Sequence, residues 1–286
     1  MLDLKFIREN LDLVKKNIEL KNEKADLTSF SELEEKRRKI IQEVEALKNE
    51  RNKVTKEIAN YKKSGQNADD LIAEMKVVSD KIKDFDDTLR DVENEINQIV
   101  ARIPNMLAPQ VPLGKSEEDN KIVRSWGEPM AQPIKMNHIE ISKKLGIIDF
   151  ERGAKVSGSG FSFYIGKGAQ LERALIRFML DYHTQKHNYT EIWSPFMVNA
   201  ASMFGTGQLP KMGEDMYYAK EDDMYLIPTA EVALNGLYFD EIIPEEALPL
   251  RYISYTPCFR REAGAAGERE RGLIRMHQFN KVEMFA

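Results

Sequence analysis

Two segments near the C-terminal end, residues 251–262 and 275–285, alternate as strands and carry an unusual set of side chains. On the second, Arg275, His277, Phe279, Lys281, Glu283 and Phe285 share one face, while Met276, Gln278, Asn280, Val282 and Met284 share the other. The first likewise puts Cys258, Arg260 and Glu262 on one face. A face with two arginines, two glutamates, a lysine and a phenylalanine is not built to pack a core, because desolvated charges need partners. It suits a charged ligand with an aromatic component: guanidinium for phosphate, phenyl ring for a base, carboxylates for amines. The same alternation also fits a solvent-facing sheet whose charges pair across strands, and spacing alone does not separate the two. Cys258 reads as a buried strand residue. His138, His183, His187, His277 and the single cysteine show no metal-ligand spacing. No Gly-x-x-x-x-Gly-Lys-Ser/Thr loop occurs, and the SGSG at 157–160 lacks the context of a dinucleotide fold, so a nucleotide site here is of neither type.

The elements that must position these residues fall into two groups. Over 31–61, Leu33, Arg37, Ile40, Val44, Leu47, Arg51, Val54, Ile58 and Tyr61 recur at alternating steps of four and three. Over 71–103, Leu71, Met75, Val78, Ile82, Phe85, Leu89, Val92, Ile96, Ile99 and Ile103 do the same. That spacing keeps one apolar seam toward a partner helix, and the turn-forming KKSGQNADD (62–70) between the runs makes the pair antiparallel. Each helix should be about 45–50 Å long at ~1.5 Å per residue. Asp3 can cap a helix bearing Leu4, Ile7, Leu11, Val14 and Ile18, expected to pack on the base of this arm. Periodicity alone makes the hairpin an oligomerisation or spacer coil. Lys56, Lys62 and Lys63 near its tip could meet phosphates, although Asp69 and Asp70 sit beside them.

Pro104, Pro109, Pro112, Pro129 and Pro133 crowd into the stretch that follows and mark the entry to a second domain. The domains are therefore expected at 1–110, with the coiled coil at about 31–103, and at 111–286. In the second, 156–168 reads as a Gly-rich strand with tight turns. A helix follows, with Leu171, Leu175, Phe178, Met179 and Tyr182 on one face. Residues 189–199 read as a strand containing Pro195, and 224–234 as a strand that turns at Pro228. The fold class is α+β, with a mostly antiparallel sheet.

Composition bounds the rest. The 286 residues are 42% hydrophobic and 31% charged, with 42 Lys+Arg against 47 Asp+Glu, which supports a core plus long solvated helices and excludes wholesale disorder. One cysteine permits no internal disulfide, and no apolar run approaches ~18 residues, so a cytoplasmic protein with no membrane partner is expected.

TPCFRREAG…RGLIRMHQFNKVE (256–283) resembles motif 2 of class II aminoacyl-tRNA synthetases. Together with TGQLP (206–210), IPTAE (227–231), the opening MLDLKFIREN and the helical arm, it resembles the bacterial-type seryl-tRNA synthetases over the whole chain. The resemblance implies ATP-dependent activation of L-serine to seryl-adenylate and transfer to the 3′ end of serine tRNA and of selenocysteine tRNA. It implies a class II antiparallel sheet flanked by helices, a homodimer with motif 1 at helix 171–187 and the Pro195 strand, and an arm that binds tRNA in trans.

Carried over residue by residue, it implies that Arg260 contacts the ATP α-phosphate and the serine carboxylate. Glu262 would accept from the adenine amino group, Phe279 would stack on the ring and Arg275 would hold the γ-phosphate. Thr229, Glu231, Glu283 and Arg260 would form the serine pocket, with the roles of the two carboxylates left open. Arg269 and Arg271 would meet the acceptor end of tRNA, unless GERERG (267–272) is only a solvated turn, and no family role transfers to His277. TAEVALN (229–235) has Ala233 and Asn235 where the family usually has proline and threonine, which should loosen the backbone beside the pocket. The sequence ends at Ala286, whereas the family's motif 3 and Mg²⁺ ligands follow motif 2. The expectations are thus a catalytic domain incomplete at the C-terminus, Mg²⁺ ligands beyond residue 286, and a 286-residue piece inactive alone. The alternative is a non-catalytic, tRNA-binding paralogue that ends at Ala286.

Overall fold

The computed structural model describes residues 1–128, 135–262 and 272–286, in two compact units, Met1–Ser125 and Trp126–Ala286. Pro129, Pro133, Arg269 and Arg271 lie outside the described residues.

In the first unit, α1 (Leu4–Glu9) and α2 (Leu11–Leu20) precede the long α3 (Leu27–Lys63) and α4 (Asp69–Val100). The Asp3 carboxylate accepts from the Phe6 N–H at 3.0 Å, capping α1. The single helix expected over 4–18 is instead two. Asn10 leaves helical geometry at φ −132°, and its side-chain amide donates to the Phe6 carbonyl, ending the first helix. The helices α3 and α4 are 37 and 32 residues, hence about 55 and 48 Å at ~1.5 Å per residue. Their seam buries Ile40, Val44, Met75, Val78, Ile82, Val92, Ile96 and Val100, and Ile7, Val14, Ile18 and Phe30 extend that core around the base. Both seam periodicity and the docking of the N-terminal helices thus hold.

Arg37 sits on the seam as an ion pair, its Nε 2.9 Å from Glu93 Oε1. Beside it the buried Glu34 accepts from Arg8 at 2.9 Å, tying α1 to α3. The Asn17 side chain accepts from the Leu107 N–H at 2.8 Å and donates to the Asn105 carbonyl at 3.3 Å. These bonds hold the start of the proline-rich stretch to the helices, within the compact unit Met1–Ser125.

The second unit contains α5 (His138–Leu145), β1 (Ile148–Asp149), α6 (Phe150–Ser157), β2 (Phe163–Tyr164) and α7 (Lys167–His187). Then come β3 (Thr190–Glu191), β4 (Met197–Val198), α8 (Ala200–Gly205), β5 (Tyr218–Ala219), β6 (Met224–Leu226), α9 (Glu231–Gly236), β7 (Tyr252–Phe259) and β8 (Gln278–Phe285). β3, β7 and β8 form one sheet, in which β7 and β8 are antiparallel and β3 runs parallel to β7. β4, β6 and β5 form a second, antiparallel sheet.

Two strand expectations are corrected. Residues 150–157 are helical, capped by the Asp149 carboxylate at the Arg152 N–H, so the strand in 156–168 shrinks to Phe163–Tyr164. The strand expected through 189–199 divides between two sheets. Ile192 still donates to Ile253, but Pro195 cannot donate, and the chain crosses there from the β7 sheet to the β6 sheet. The helix α7 lies on the other side of the β7–β8 hairpin, where Asn280 donates to Glu172 at 3.0 Å and accepts from the Tyr255 hydroxyl at 2.9 Å. Its Leu171, Leu175, Phe178, Met179 and Tyr182 remain exposed rather than packing on this sheet.

Candidate active site

The register of β7 and β8 decides which residues meet. Ser254 lies opposite Glu283, Thr256 opposite Lys281 and Cys258 opposite Phe279, so the two charge-rich faces read from each strand are one face. It is not a free solvent-facing surface. Ser254, Thr256 and Cys258 are fully buried, and the Cys258 thiol is pushed up from its ordinary value chiefly by burial. The Ile227 carbonyl accepts from the Phe259 N–H at 2.9 Å, bringing the segment that leads into α9 alongside β7.

Beyond the strand ends, Arg260, Glu262 and Arg275 line one cavity of about 540 Å³ together with Gln208, Met212, Asp215, Met216 and Ile274. Glu262 has φ +51°, an uncommon conformation for a side chain other than glycine, where the chain turns out of β7. Its carboxylate accepts from Arg275 Nε in a short ion pair. Phe279 is not part of that lining but touches it through Arg260, whose guanidinium carbon lies 5.2 Å from the Phe279 ring centroid. One face of the phenyl ring is thus already covered, and a stacked base must use the opposite face.

A second cluster sits beside the first. Thr229, 3% exposed, donates from Oγ1 to Glu283 Oε2 at 2.9 Å and accepts from Lys281 Nζ at 3.0 Å and from the Glu231 N–H at 3.3 Å. Lys281 also forms an ion pair with Glu283. Arg260 joins the two clusters, its guanidinium reaching the Pro228 carbonyl at 3.5 Å, the outer limit of a hydrogen bond. Residues 231–236 are helical, with Leu234 N–H bonded to Ala230 at 3.0 Å, so Ala233 and Asn235 lie within a regular turn.

The structure therefore brings together Thr229, Glu231, Arg260, Glu262, Arg275, Phe279 and Glu283. Lys56, Lys62 and Lys63 lie exposed on the far end of α3, in the other unit. Three residues carried no expectation. His277 stacks on Phe161 with centroids 5.4 Å apart, and its Nδ1–H donates to the Arg260 carbonyl at 3.0 Å. Arg261 donates to the Met216 carbonyl at 3.1 Å and lies over the Tyr217 ring, holding the far wall of the cavity. Lys281 was visible on the site face, but its partner Thr229 is 52 residues away.

This geometry has counterparts among known proteins. Residues 1–107 match the seryl-tRNA synthetase N-terminal domain, and residues 216–286 match the tRNA synthetase class II core domain (G, H, P, S and T). The serine–tRNA ligase of Thermoanaerobacter pseudethanolicus is 53% identical over 285 residues, covering 99% of this chain and 67% of that protein. The chain belongs to the seryl-tRNA synthetase family. The serine–tRNA ligase of Desulforapulum autotrophicum is 49% identical, again over 99% of this chain and 67% of its own length. The chain thus spans about two thirds of the length of these curated family members. The seryl-tRNA synthetase of Pyrococcus horikoshii, solved in complex with ATP, superposes with a TM-score of 0.82 at 34% identity, over 99% of this chain and 69% of that one. Both the arm and the motif 2 hairpin are therefore class II seryl-tRNA synthetase parts.

Proposed function

We propose that the protein, as its gene encodes it, activates L-serine with ATP to seryl-adenylate and transfers the seryl group to the 3′ end of serine tRNA, with selenocysteine tRNA as a second acceptor. The observation that carries this reading is the position of Arg260, which lines the nucleotide-sized cavity and also reaches the Thr229 segment. A serine carboxylate oxygen attacks the α-phosphorus of ATP, and the bond to pyrophosphate breaks. Negative charge builds on the α-phosphate as it does so, and a guanidinium already fixed there stabilises the transition state more than the ground state. The serine carboxylate is ionised at neutral pH, so activation needs no protein base and positioning carries the rate. Arg260 holds that carboxylate, Glu262 accepts from the adenine amino group, Phe279 stacks on the base and Arg275 holds the γ-phosphate. The Arg275–Glu262 pair opens as the nucleotide enters. Magnesium would arrive with the phosphates and offset their charge. The described residues offer no cluster of three His, Cys, Asp or Glu to hold it, and none of them is assigned to it.

Thr229, Glu231 and Glu283 form the serine pocket. A pocket that hydrogen-bonds the substrate hydroxyl rejects alanine, because its own polar groups are otherwise left unpaired, and it excludes threonine by size. The working protein divides into a tRNA-binding arm, 1–110, and a catalytic part, 111–286, acting in the cytoplasm. Lys56, Lys62 and Lys63 meet the tRNA backbone, and Arg269 and Arg271 meet its acceptor end. Attachment of labelled serine to serine tRNA, but not to alanine tRNA, by the protein as its gene encodes it is the expected result; no attachment would reject the reading.

The protein acts as a homodimer through α7. Five large apolar side chains at helical spacing, including Leu171 at 58% and Phe178 at 62% exposure, are supported as an interface by their contiguity, and Trp193 adds to the exposed apolar surface. Phe178→Glu should place a charge in that interface and convert a micromolar dimer to a monomer in sedimentation velocity; an unchanged dimer would exclude α7.

A further inference from the structure

Lys281 shares the site face of β8 with Glu283 and reaches Thr229. We propose that Lys281 is a positioning residue of the serine pocket, orienting the Thr229 hydroxyl toward Glu283 and balancing the charge of the pocket. The inference rests on the reading of Thr229, Glu231 and Glu283 as the serine site.

Hydrogen-bond capacity makes the argument. A threonine hydroxyl has one proton to give and two lone pairs to accept with. The Lys281 ammonium, which can only donate, takes one lone pair at 3.0 Å, and the Glu231 N–H takes the other at 3.3 Å. The single proton is thereby committed to Glu283 Oε2, 2.9 Å away. Thr229 is 3% exposed, so water has little room to substitute for any of these partners. The same ammonium pairs with Glu283 Oε2, closing a three-membered network of Lys281, Thr229 and Glu283.

Charge leads to the same residue. Arg260 and Lys281 balance Glu231 and Glu283, giving a neutral pocket for a zwitterion that is itself neutral. Without Lys281 the pocket holds a surplus carboxylate, which opposes entry of the serine carboxylate. The two glutamates also become unequal. Glu283 is engaged by Lys281 and Thr229, whereas the Glu231 carboxylate has no ion pair among the described residues. The substrate ammonium therefore goes to Glu231, and the Glu283 carboxylate, held by Thr229 and Lys281, is left to read the hydroxyl.

The test is serine-dependent pyrophosphate exchange by the protein as its gene encodes it, with serine and ATP each varied. Lys281→Met should raise the serine KM about tenfold or more while leaving the ATP KM within about twofold, and should narrow the preference for serine over alanine by about tenfold. Lys281→Arg keeps a cation at this position and should return the serine KM to within about threefold of the parent. Lys281→Gln takes the place of the Met variant if that one does not fold. An unchanged serine KM in Lys281→Met, or an equal rise in both KM values, would overturn the inference. Thr229→Val separates the two levels: if it too leaves the serine KM unchanged, the serine-pocket reading falls, and the role of Lys281 with it.

Discussion

Arg260→Ala should abolish serine activation, lowering kcat/KM for pyrophosphate exchange by about 10³-fold or more. The size follows from what the guanidinium is placed to do. It lines the cavity with Glu262 and Arg275, lies over Phe279 and touches the Pro228 carbonyl, so it stands where the proposed nucleotide and serine sites adjoin. One group there would act on both reactants, and its removal would take away orientation and charge stabilisation together. Arg260→Lys should recover little of the loss, because an ammonium cannot present two parallel donors to two oxyanions. Pyrophosphate exchange at the parent rate by Arg260→Ala would remove this residue from the mechanism.

The second large effect concerns the arm. Replacing residues 50–83 by a short Gly-rich turn should spare serine activation, within about threefold, and cut serine attachment to tRNA by about 10²-fold or more. That shortening keeps the Lys48–Asp86 and Arg37–Glu93 ion pairs and the core around Ile7, Phe30 and Ile96, so the base of the arm remains packed. It removes Lys56, Lys62 and Lys63, and cations that meet phosphates contribute salt-dependent affinity. Both activities measured on one preparation make the result decisive. Undiminished tRNA charging would show that the distal arm is not a tRNA contact, and loss of serine activation would show that it supports the catalytic unit.

Much of this architecture is written into local patterns. The four-three spacing of Leu33 through Tyr61 and Leu71 through Ile103 reports the arm because a seam must face its partner at every turn. The parity of β8 separated Phe279, Lys281 and Glu283 from Gln278, Asn280 and Met284, because a strand has a period of two. Breaks were harder to see. The hydrophobic spacing of residues 4–18 is continuous across Asn10, and only the side-chain bond from that residue to Phe6 divides the helix. Pro195 was visible as an interruption, but not that the chain would leave one sheet for another there.

In the site, the residues of contiguous motifs were legible, and the links between motifs were not. Thr229 and Lys281 meet only once β8 lies beside the 227–231 segment, and His277 supports Arg260 only once the hairpin closes. Arg261, just past the end of β7, finds the Met216 carbonyl, a contact with no local signature.

The central claim is that this site joins serine to ATP. Exchange of labelled pyrophosphate into ATP, with each of the standard amino acids tested in turn, examines it most directly in the protein as its gene encodes it. Exchange dependent on serine, with threonine and alanine lower by about 10²-fold or more, is the predicted result. Exchange with another amino acid and not serine, or with none, would contradict it.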